Sequence, residues 1–234
     1  MKVDISEKNR IMETENTKAP RLEMTPGGLA LCSGELKLLA NFRESLPRLK
    51  ENNLGGELVV KAARGKNFSA FSSSGERPVL IDATAGLGED SVLLAAAGFE
   101  VELFEKDEVI AALLEDALLR AAADPELSGT VSHMHLHKED SIEAMASGKL
   151  SAQVVYLDPM FPGRTKSGLV GKKFQLLHGL EKPCENGAEL IDAAKRTGTK
   201  KIIVKRPLKA ETLGGLKPSY QLKGKAIRMD VYVL

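Results

Sequence analysis

Short apolar runs alternate with helical spacing through most of the chain. From residue 79 onward the apolar runs lie at 79–82, 101–105, 131–137, 154–157 and 201–204. Buried strands of a parallel sheet are near-continuous apolar runs of this length, and helices connect them. Two extended pieces, 219–222 and 228–233, are close enough to pair as a hairpin. The pattern predicts an α/β fold with a mostly parallel, Rossmann-like seven-stranded sheet, a terminal antiparallel hairpin and helices on both faces.

The segments between these runs predict the helices and the domain organisation. Helical spacing covers 90–98, 108–123, 172–180 and 185–196. Before the sheet, the first 20 residues are a polar arm, 29–31 is a short strand and 35–49 has helical spacing until Pro47 ends or kinks it. A short helix follows Glu57. The turn-rich connector 69–78 then separates a small α+β N-terminal region, 1–68, from the main domain, 79–234.

Composition places the chain among globular proteins without a membrane span. The 234 residues are 43% hydrophobic and 28% charged, which is ordinary for a globular protein. No apolar run reaches about 18 residues, and the polar first residues lack the apolar core of a signal peptide. The two cysteines, Cys32 and Cys184, lack metal-ligand spacing. We therefore expect a cytoplasmic protein with free thiols.

Charge is divided sharply between two consecutive parts of the chain. Residues 79–158 contain 16 acidic and 4 basic side chains, whereas residues 159–209 contain 12 basic and 4 acidic ones. A basic surface beside an acidic pocket favours a polyanionic substrate such as nucleic acid, although the charge count alone also fits solvated surface. The residues that we expect to contact phosphates are Arg164, Lys166, Lys172, Lys173, Lys205 and Arg206.

The turn after the first strand indicates the cofactor. Gly86 and Gly88 allow the backbone to approach a ligand at the N-terminus of a helix. The dinucleotide fingerprint has a third glycine where this chain has Ser91, so that motif is incomplete. Asp82, at the end of the strand, would repel a pyrophosphate but can meet the cationic end of S-adenosylmethionine. The turn therefore favours S-adenosylmethionine over a dinucleotide.

Further acids follow at the ends of successive strands. Glu89 and Asp90 come directly after the glycine turn and favour the same cationic ligand. Glu105 ends the second strand, where acids bind ribose hydroxyls in many nucleoside sites. Asp140 and Ser141 follow the third strand and could frame the adenine. The simpler interpretation is that these acids only cap helices.

The fourth strand ends at a motif suited to holding a planar amine. Asp158 and Pro159 close the apolar run, and Phe161 follows. The Asp158 carboxylate and the Pro159 carbonyl can each accept one N–H of an exocyclic amine and aim its lone pair at the sulfonium methyl. Phe161 would stack on a base that has left its helix. These three residues are the predicted catalytic set; the alternative is a strand-ending turn with Phe161 in the core.

Four segments closely resemble the RsmJ family of bacterial small-subunit ribosomal RNA guanine-N2 methyltransferases. They are VLIDATAGLGEDS, FEKDEVIAALLEDAL, VVYLDPMFPGRTKSGLVGKK and KIIVKRP. The resemblance implies a class I methyltransferase fold, S-adenosylmethionine as cofactor and small-subunit ribosomal RNA, free or assembled, as partner. It implies cofactor contacts from Glu89, Asp90, Glu105, Lys106, Asp140, Ser141 and Asp158. The position of the contact after the third strand is defined only to within one residue. The segment 47–57 has Arg48, Lys50, Gly56 and Glu57 in common with the family but lacks the family's histidine, phenylalanine and flexible glycines.

Three other functions remain open at this level. The same chemistry could methylate an adenine or cytosine of DNA or a protein glutamine. A nicotinamide dehydrogenase is disfavoured by Ser91 and Asp82, and a catalytically silent RNA-binding assembly factor would need no working Asp158. His133, His135 and His137 would share one face of a strand, but no other ligands accompany them, and we predict no metal site.

Overall fold

The computed structural model describes residues 19–65, 68, 75–159 and 186–234. Several predictions fall outside these residues: the stacking role of Phe161, the helix at 172–180, the thiol of Cys184, most of the connector, and the four basic residues Arg164, Lys166, Lys172 and Lys173. The division into two domains therefore stays a prediction. Within the described ranges, no helix is long and apolar enough to cross a membrane.

A seven-stranded sheet forms the centre of the molecule and confirms the predicted α/β fold class. The strands are β4 (Val79–Asp82), β5 (Glu100–Phe104), β6 (Met134–His137), β7 (Val154–Leu157), β8 (Lys201–Pro207), β9 (Tyr220–Lys223) and β10 (Ile227–Val233). Their order in the sheet is β6-β5-β4-β7-β8-β10-β9. The first five strands in this order are parallel, and β10 and β9 are antiparallel, as the terminal hairpin prediction required.

Alternating strand side chains bury both faces of this sheet. Leu80 belongs to one hydrophobic cluster and its neighbour Ile81 to the other, and Tyr156 and Val155 divide in the same way. Both faces are apolar because helices cover both sides, which explains why the strand runs show little polar alternation. The helices of this part are α4 (Glu89–Ala96), α5 (Glu108–Ala122), α6 (Ser128–Val131), α7 (Ser141–Ala146) and α8 (Gly187–Arg196), with a 3₁₀ turn at Leu213–Gly215.

The N-terminal region adds a small antiparallel sheet and short helices. The elements are β1 (Arg21–Thr25), β2 (Gly28–Ser33), β3 (Leu36–Leu38), a 3₁₀ turn (Phe42–Ser45), α1 (Leu46–Leu49), α2 (Glu51–Leu54) and α3 (Leu58–Arg64). The strand at 29–31 and the short helix after Glu57 are thus confirmed. Side chains of α3, including Val59 and Val60, share one core with the seven-stranded sheet.

The single helix predicted over 35–49 is wrong. Leu36–Leu38 instead pairs with β2, in a register that sets Leu38 opposite Leu31. Both leucines pack on Leu113 of α5, so burial against that helix selects the strand conformation. Pro47 lies in the first turn of α1, where its missing N–H costs nothing, and does not end a helix.

Candidate active site

Asp82 organises the glycine turn from inside the protein. Its carboxylate accepts hydrogen bonds from the Thr84 backbone N–H, at 3.1 Å, and from the Ser91 hydroxyl. The residue is only 1% exposed, and burial raises its pKa from 3.8 to about 7, although the Ser91 hydrogen bond opposes the shift. Ser91, which stands in place of the third glycine of a dinucleotide motif, therefore holds the end of β4 to the start of α4.

The two glycines of the turn have different surroundings. Both have positive φ, +54° at Gly86 and +75° at Gly88. A Cβ added to Gly86 would meet no atom within 4 Å, so this backbone is open to a ligand. A Cβ at Gly88 would lie 2.9 Å from Leu114 and 3.1 Å from Phe42. Gly88 therefore permits close packing of the N-terminal region against the turn, whereas the space beside Gly86 is open.

Glu105 ties the end of β5 to the glycine turn. Its Oε2 accepts the Gly86 backbone N–H at 3.0 Å, and its Oε1 accepts that of Asp107 at 2.8 Å. Burial raises the pKa of Glu105, and the backbone hydrogen bonds act against that rise. Each carboxylate oxygen retains a further lone pair, so Glu105 can also accept hydroxyl groups of a ligand.

Asp140 caps the next helix, as the simpler interpretation of the acidic series requires. Its Oδ1 accepts the Ile142 backbone N–H at 2.8 Å at the start of α7, and Ser141 is buried in the same first turn. Its Oδ2 lies 3.1 Å from the Nζ of Lys106, an exposed lysine two residues after the end of β5. Burial would raise the pKa of Asp140, but Lys106 and the Ile142 N–H outweigh it and lower the pKa. Capping and ligand contact are compatible, because Lys106 and Asp140 border the same edge of the sheet.

Asp158 lies one strand away from the glycine turn and is bonded to it. β7 is the parallel neighbour of β4, so both strands end at the same edge. The Asp158 backbone N–H donates to the Thr84 hydroxyl at 2.6 Å. The Asp158 side chain is 36% exposed, whereas Pro159 is buried. The structure therefore brings the amine-holding motif and the turn together at the carboxyl edge, where open α/β sheets bind ligands.

A lysine joins the acid of the helix to the acid of the fourth strand. Lys205 Nζ lies 2.7 Å from Asp90 Oδ2 and 2.8 Å from Asp158 Oδ2. The Tyr156 hydroxyl donates to the same Asp90 oxygen at 2.6 Å. Asp90 is thus not a helix cap, because Gly88 holds the N-cap position of α4. The sequence analysis gave Tyr156 no role in the site. The one feature that could have indicated a role is its position on β7, two residues before Asp158.

These contacts set the charge states of the network. Burial raises the pKa of Asp158, while Lys205 acts in the opposite direction. At Asp90 the burial effect is outweighed by Lys205 and the Tyr156 hydroxyl, so its pKa is lowered. Burial would lower the pKa of Lys205, but the two carboxylates raise it. The pKa of Tyr156 is raised far above its usual range, chiefly by burial. Lys205 is therefore a permanent cation and no general base.

A buried ion pair on β10 binds backbone carbonyls at the end of β8 and just after it. Arg228 donates to Asp230 at 2.8 and 3.0 Å and also to the carbonyls of Pro207, Leu208 and Ala210. These carbonyls belong to the segment that follows Lys205. The predicted phosphate contact Arg206 is buried, being only 6% exposed.

The N-terminal region contributes a charged wall beside the glycine turn. Arg48 and Glu57 form a bidentate pair with both distances at 2.9 Å, and Glu57 raises the pKa of Arg48. A cavity of about 170 Å³ lies between this region and the turn; Asn41, Phe42, Arg48, Leu87 and Glu89 are among its lining residues. This ion pair gives a structural reason why Arg48 and Glu57 match the family's pattern, although much of the 47–57 segment differs from it.

Three histidines, His133 directly before β6 and His135 and His137 on it, face acidic partners on β5. His133 Nδ1 lies 2.9 Å from Glu100, His135 also contacts Glu100, and His137 contacts Glu102. Among the residues that the structure describes, no cluster of histidine, cysteine or acidic side chains has the arrangement of a metal site.

The sheet order, the terminal hairpin and the acidic carboxyl edge together define a class I methyltransferase fold. A family model described as "Putative SAM-dependent methyltransferase" matches residues 5–234. A Ribosomal RNA small subunit methyltransferase J from Neisseria meningitidis serogroup B is 36% identical over 208 residues, which is 88% of this chain and 80% of the relative. One from Thioalkalivibrio sulfidiphilus is 45% identical over 161 residues, 68% of this chain and 63% of the relative.

A solved structure supports the same assignment. The crystal structure of a SAM-dependent methyltransferase from Neisseria gonorrhoeae is 31% identical, with a TM-score of 0.72, and the match covers 92% of this chain and 83% of that one. The chain belongs to the RsmJ family of SAM-dependent methyltransferases. The match with the Thioalkalivibrio relative spans less than two thirds of that protein's length.

Proposed function

We propose that this protein transfers a methyl group from S-adenosylmethionine to the exocyclic N2 of a guanine in small-subunit ribosomal RNA. The observation that carries the proposal is the position of Asp158, which is partly exposed at the carboxyl edge and bonded through Thr84 to the glycine turn. The names of the relatives support ribosomal RNA as the substrate class. The guanine N2 position comes from the resemblance of the DPMFP segment to the family.

The residues at the carboxyl edge fit the cofactor. Bound S-adenosylmethionine would supply an electrophilic methyl group on a sulfonium. The open backbone of Gly86 allows close approach, and Glu105 beside it can accept ribose hydroxyls. Asp82 acts through the turn that it holds. We infer that the remaining contacts come from residues that follow strand ends at this edge: Glu89, Asp90, Lys106, Asp140, Ser141 and Asp158.

Asp158 and Pro159 would hold the target amine. The amine of guanine is a poor nucleophile because its lone pair is delocalised into the ring. Two N–H donors accepted by the Asp158 carboxylate and the Pro159 carbonyl would orient that lone pair toward the methyl group. We propose that Phe161 stacks on the base; this residue lies outside the described part of the chain. The same holds for the four proposed phosphate contacts between 164 and 173.

The test uses small ribosomal subunits that lack guanine-N2 methylation. The protein is incubated with labelled S-adenosylmethionine and these subunits, and the modified nucleotide is mapped by mass spectrometry. We expect methylguanine at one position, and loss of methyl transfer in Asp158→Ala. The matched control is Asp192→Ala, an exposed acid on α8 that pairs with Lys195. Naked ribosomal RNA and DNA are assayed alongside.

Each alternative has its own outcome in this experiment. Methylated DNA or protein without methylated RNA would assign the same chemistry to another amine. RNA binding that Asp158→Ala leaves unchanged, together with no methyl transfer to any substrate, would indicate a silent assembly factor. Either result would refute the proposed substrate or the proposed reaction.

A further inference from the structure

Lys205 has the surroundings of an interior cation and not those of a surface phosphate contact. Its side chain is 25% exposed, and its Nζ bridges Asp90 and Asp158 at 2.7 and 2.8 Å. Asp90 itself is 16% exposed and is held by the Tyr156 hydroxyl. Two of the three N–H groups of Lys205 are directed at these carboxylates, whose negative charges would repel a phosphate placed beside them. The sequence-based role in RNA binding therefore conflicts with the position of this ammonium group.

We propose that Lys205 is a positioning residue for methyl transfer, which fixes the Asp158 carboxylate in the orientation that receives the target amine. The proposal rests on the proposed function of Asp158. Lys205 binds Oδ2 of that carboxylate, and none of the ion pairs between described residues involves Oδ1. Oδ1 is then the oxygen that accepts an N–H of the base. The ammonium and Thr84 hold Asp158 from two sides, at the side chain and at the backbone N–H.

Asp90 and Tyr156 make this arrangement rigid. A lysine has a flexible four-carbon side chain that loses rotamer freedom when it is ordered. The Lys205 ammonium is nevertheless confined, because Asp90 receives both its N–H and the Tyr156 hydroxyl on one oxygen. Tyr156 lies on β7 and Asp158 follows directly after it. The contacts from Tyr156 through Asp90 and Lys205 to Asp158 therefore form a ring that β7 completes.

The cation also controls the protonation of Asp158. A carboxylic acid donates one hydrogen bond and is a weaker acceptor than a carboxylate, so Asp158 has to be ionised to receive the amine. Burial and the Asp90 charge favour the protonated form of Asp158, and Lys205 opposes both. Among the described residues, the charged and titratable groups around Asp158 and its partners include Lys205 and Arg206 of β8, Asp90 of α4, Asp82 of β4, Tyr156 of β7, Arg48 of α1 and Glu57.

The test compares Lys205→Met and Lys205→Arg with the matched control Lys200→Met, an exposed lysine directly before β8. The dependence of kcat/KM on pH is measured for methyl transfer to the subunits. In Lys205→Met we expect the acidic limb to move upward by about 1–3 pH units, as for loss of a cation beside a carboxylate. Activity should recover as the pH rises, and Lys205→Arg should restore much of it at neutral pH.

Two results would overturn the proposal. If Lys205→Met raised the KM for RNA and reduced its salt dependence without moving the acidic limb, Lys205 would be a phosphate contact. If activity were lost equally at every pH in both variants, the lysine would have a purely structural role. Thermal unfolding of each variant establishes that it is folded before the kinetics are measured.

A measurement without substrate separates this proposal from the proposed function. The Asp158 carboxyl carbon is titrated by ¹³C NMR in the wild-type protein and in Lys205→Met, with Asp158→Asn used to assign the signal. A higher pKa of Asp158 in Lys205→Met supports the role of the cation even if ribosomal RNA is not the substrate. An unchanged pKa refutes it even if ribosomal RNA is methylated.

Discussion

Replacing Arg228 by methionine should destabilise the fold strongly. The guanidinium makes two hydrogen bonds to Asp230 and three to the carbonyls of Pro207, Leu208 and Ala210. The Arg228 and Asp230 side chains are 5% and 0% exposed, so solvent screens the pair very little. Methionine fills a similar volume but leaves the Asp230 carboxylate buried and without its cation. Removal of one partner from such a pair costs about 3–5 kcal/mol.

Thermal unfolding followed by circular dichroism measures this loss. For a chain of this length, about 3–5 kcal/mol corresponds to a decrease in Tm of about 6–20 °C. The double variant Arg228→Met, Asp230→Leu removes both charges and should recover the part of the loss that comes from the isolated carboxylate, whereas the three carbonyls still lack their donor. The exposed Arg196→Met is the control, with an expected change of about 0.5 kcal/mol or less. A single-variant cost below about 1 kcal/mol, with no recovery in the double variant, would refute this account of the ion pair.

The remaining predictions concern the glycine turn. The pKa of Asp82 is raised in the folded state to about 7, so the stability it contributes is full below about pH 4 and is lost as the pH rises through 7. Asp82→Asn should remove this loss, at most about 4 kcal/mol between pH 4 and 7, and equal pH dependence of unfolding in both proteins would contradict the buried acid. A non-glycine residue in the left-handed region costs about 1–3 kcal/mol of stability. Gly88→Ala should destabilise the fold by more than this, because the added Cβ meets Phe42 and Leu114. Gly86→Ala should cost only the strain but weaken S-adenosylmethionine binding measured by calorimetry; the reverse order would exchange the roles of the two glycines.

The carboxyl edge could be predicted because its signals are local. Four of the five parallel strands, β4 to β7, have an acid at the end or shortly after it, and parallel strands end at a common edge. Asp82, Glu105 and Asp158 therefore lie on that edge whatever the details of packing. Their individual partners depend on side-chain packing, which no local pattern specifies. Asp82 points into the turn, toward Ser91, and does not face the cleft directly.

Contacts distant in sequence explain what was missed. Lys205 and Asp90 are 115 residues apart, and the sequence shows only a basic pair at the end of an apolar run. The helix expected over 35–49 failed for the same reason: Leu36 and Leu38 suit either structure, and packing against Leu113 of a later helix decides between them. Propensity is a weak prior where a short segment packs on a larger core.

The contact of Phe42 with Gly88 makes ligand binding and N-terminal folding parts of one equilibrium. Phe42, Leu54 and Val59 share a hydrophobic cluster with Leu93 of the helix that follows the turn. A ligand that binds only the folded turn stabilises everything that unfolds together with it, by an amount that grows with ligand concentration. The free energy of cofactor binding therefore also stabilises the folded N-terminal region, although that region contributes no strand to the seven-stranded sheet. A higher level of cofactor should therefore make opening of that region rarer.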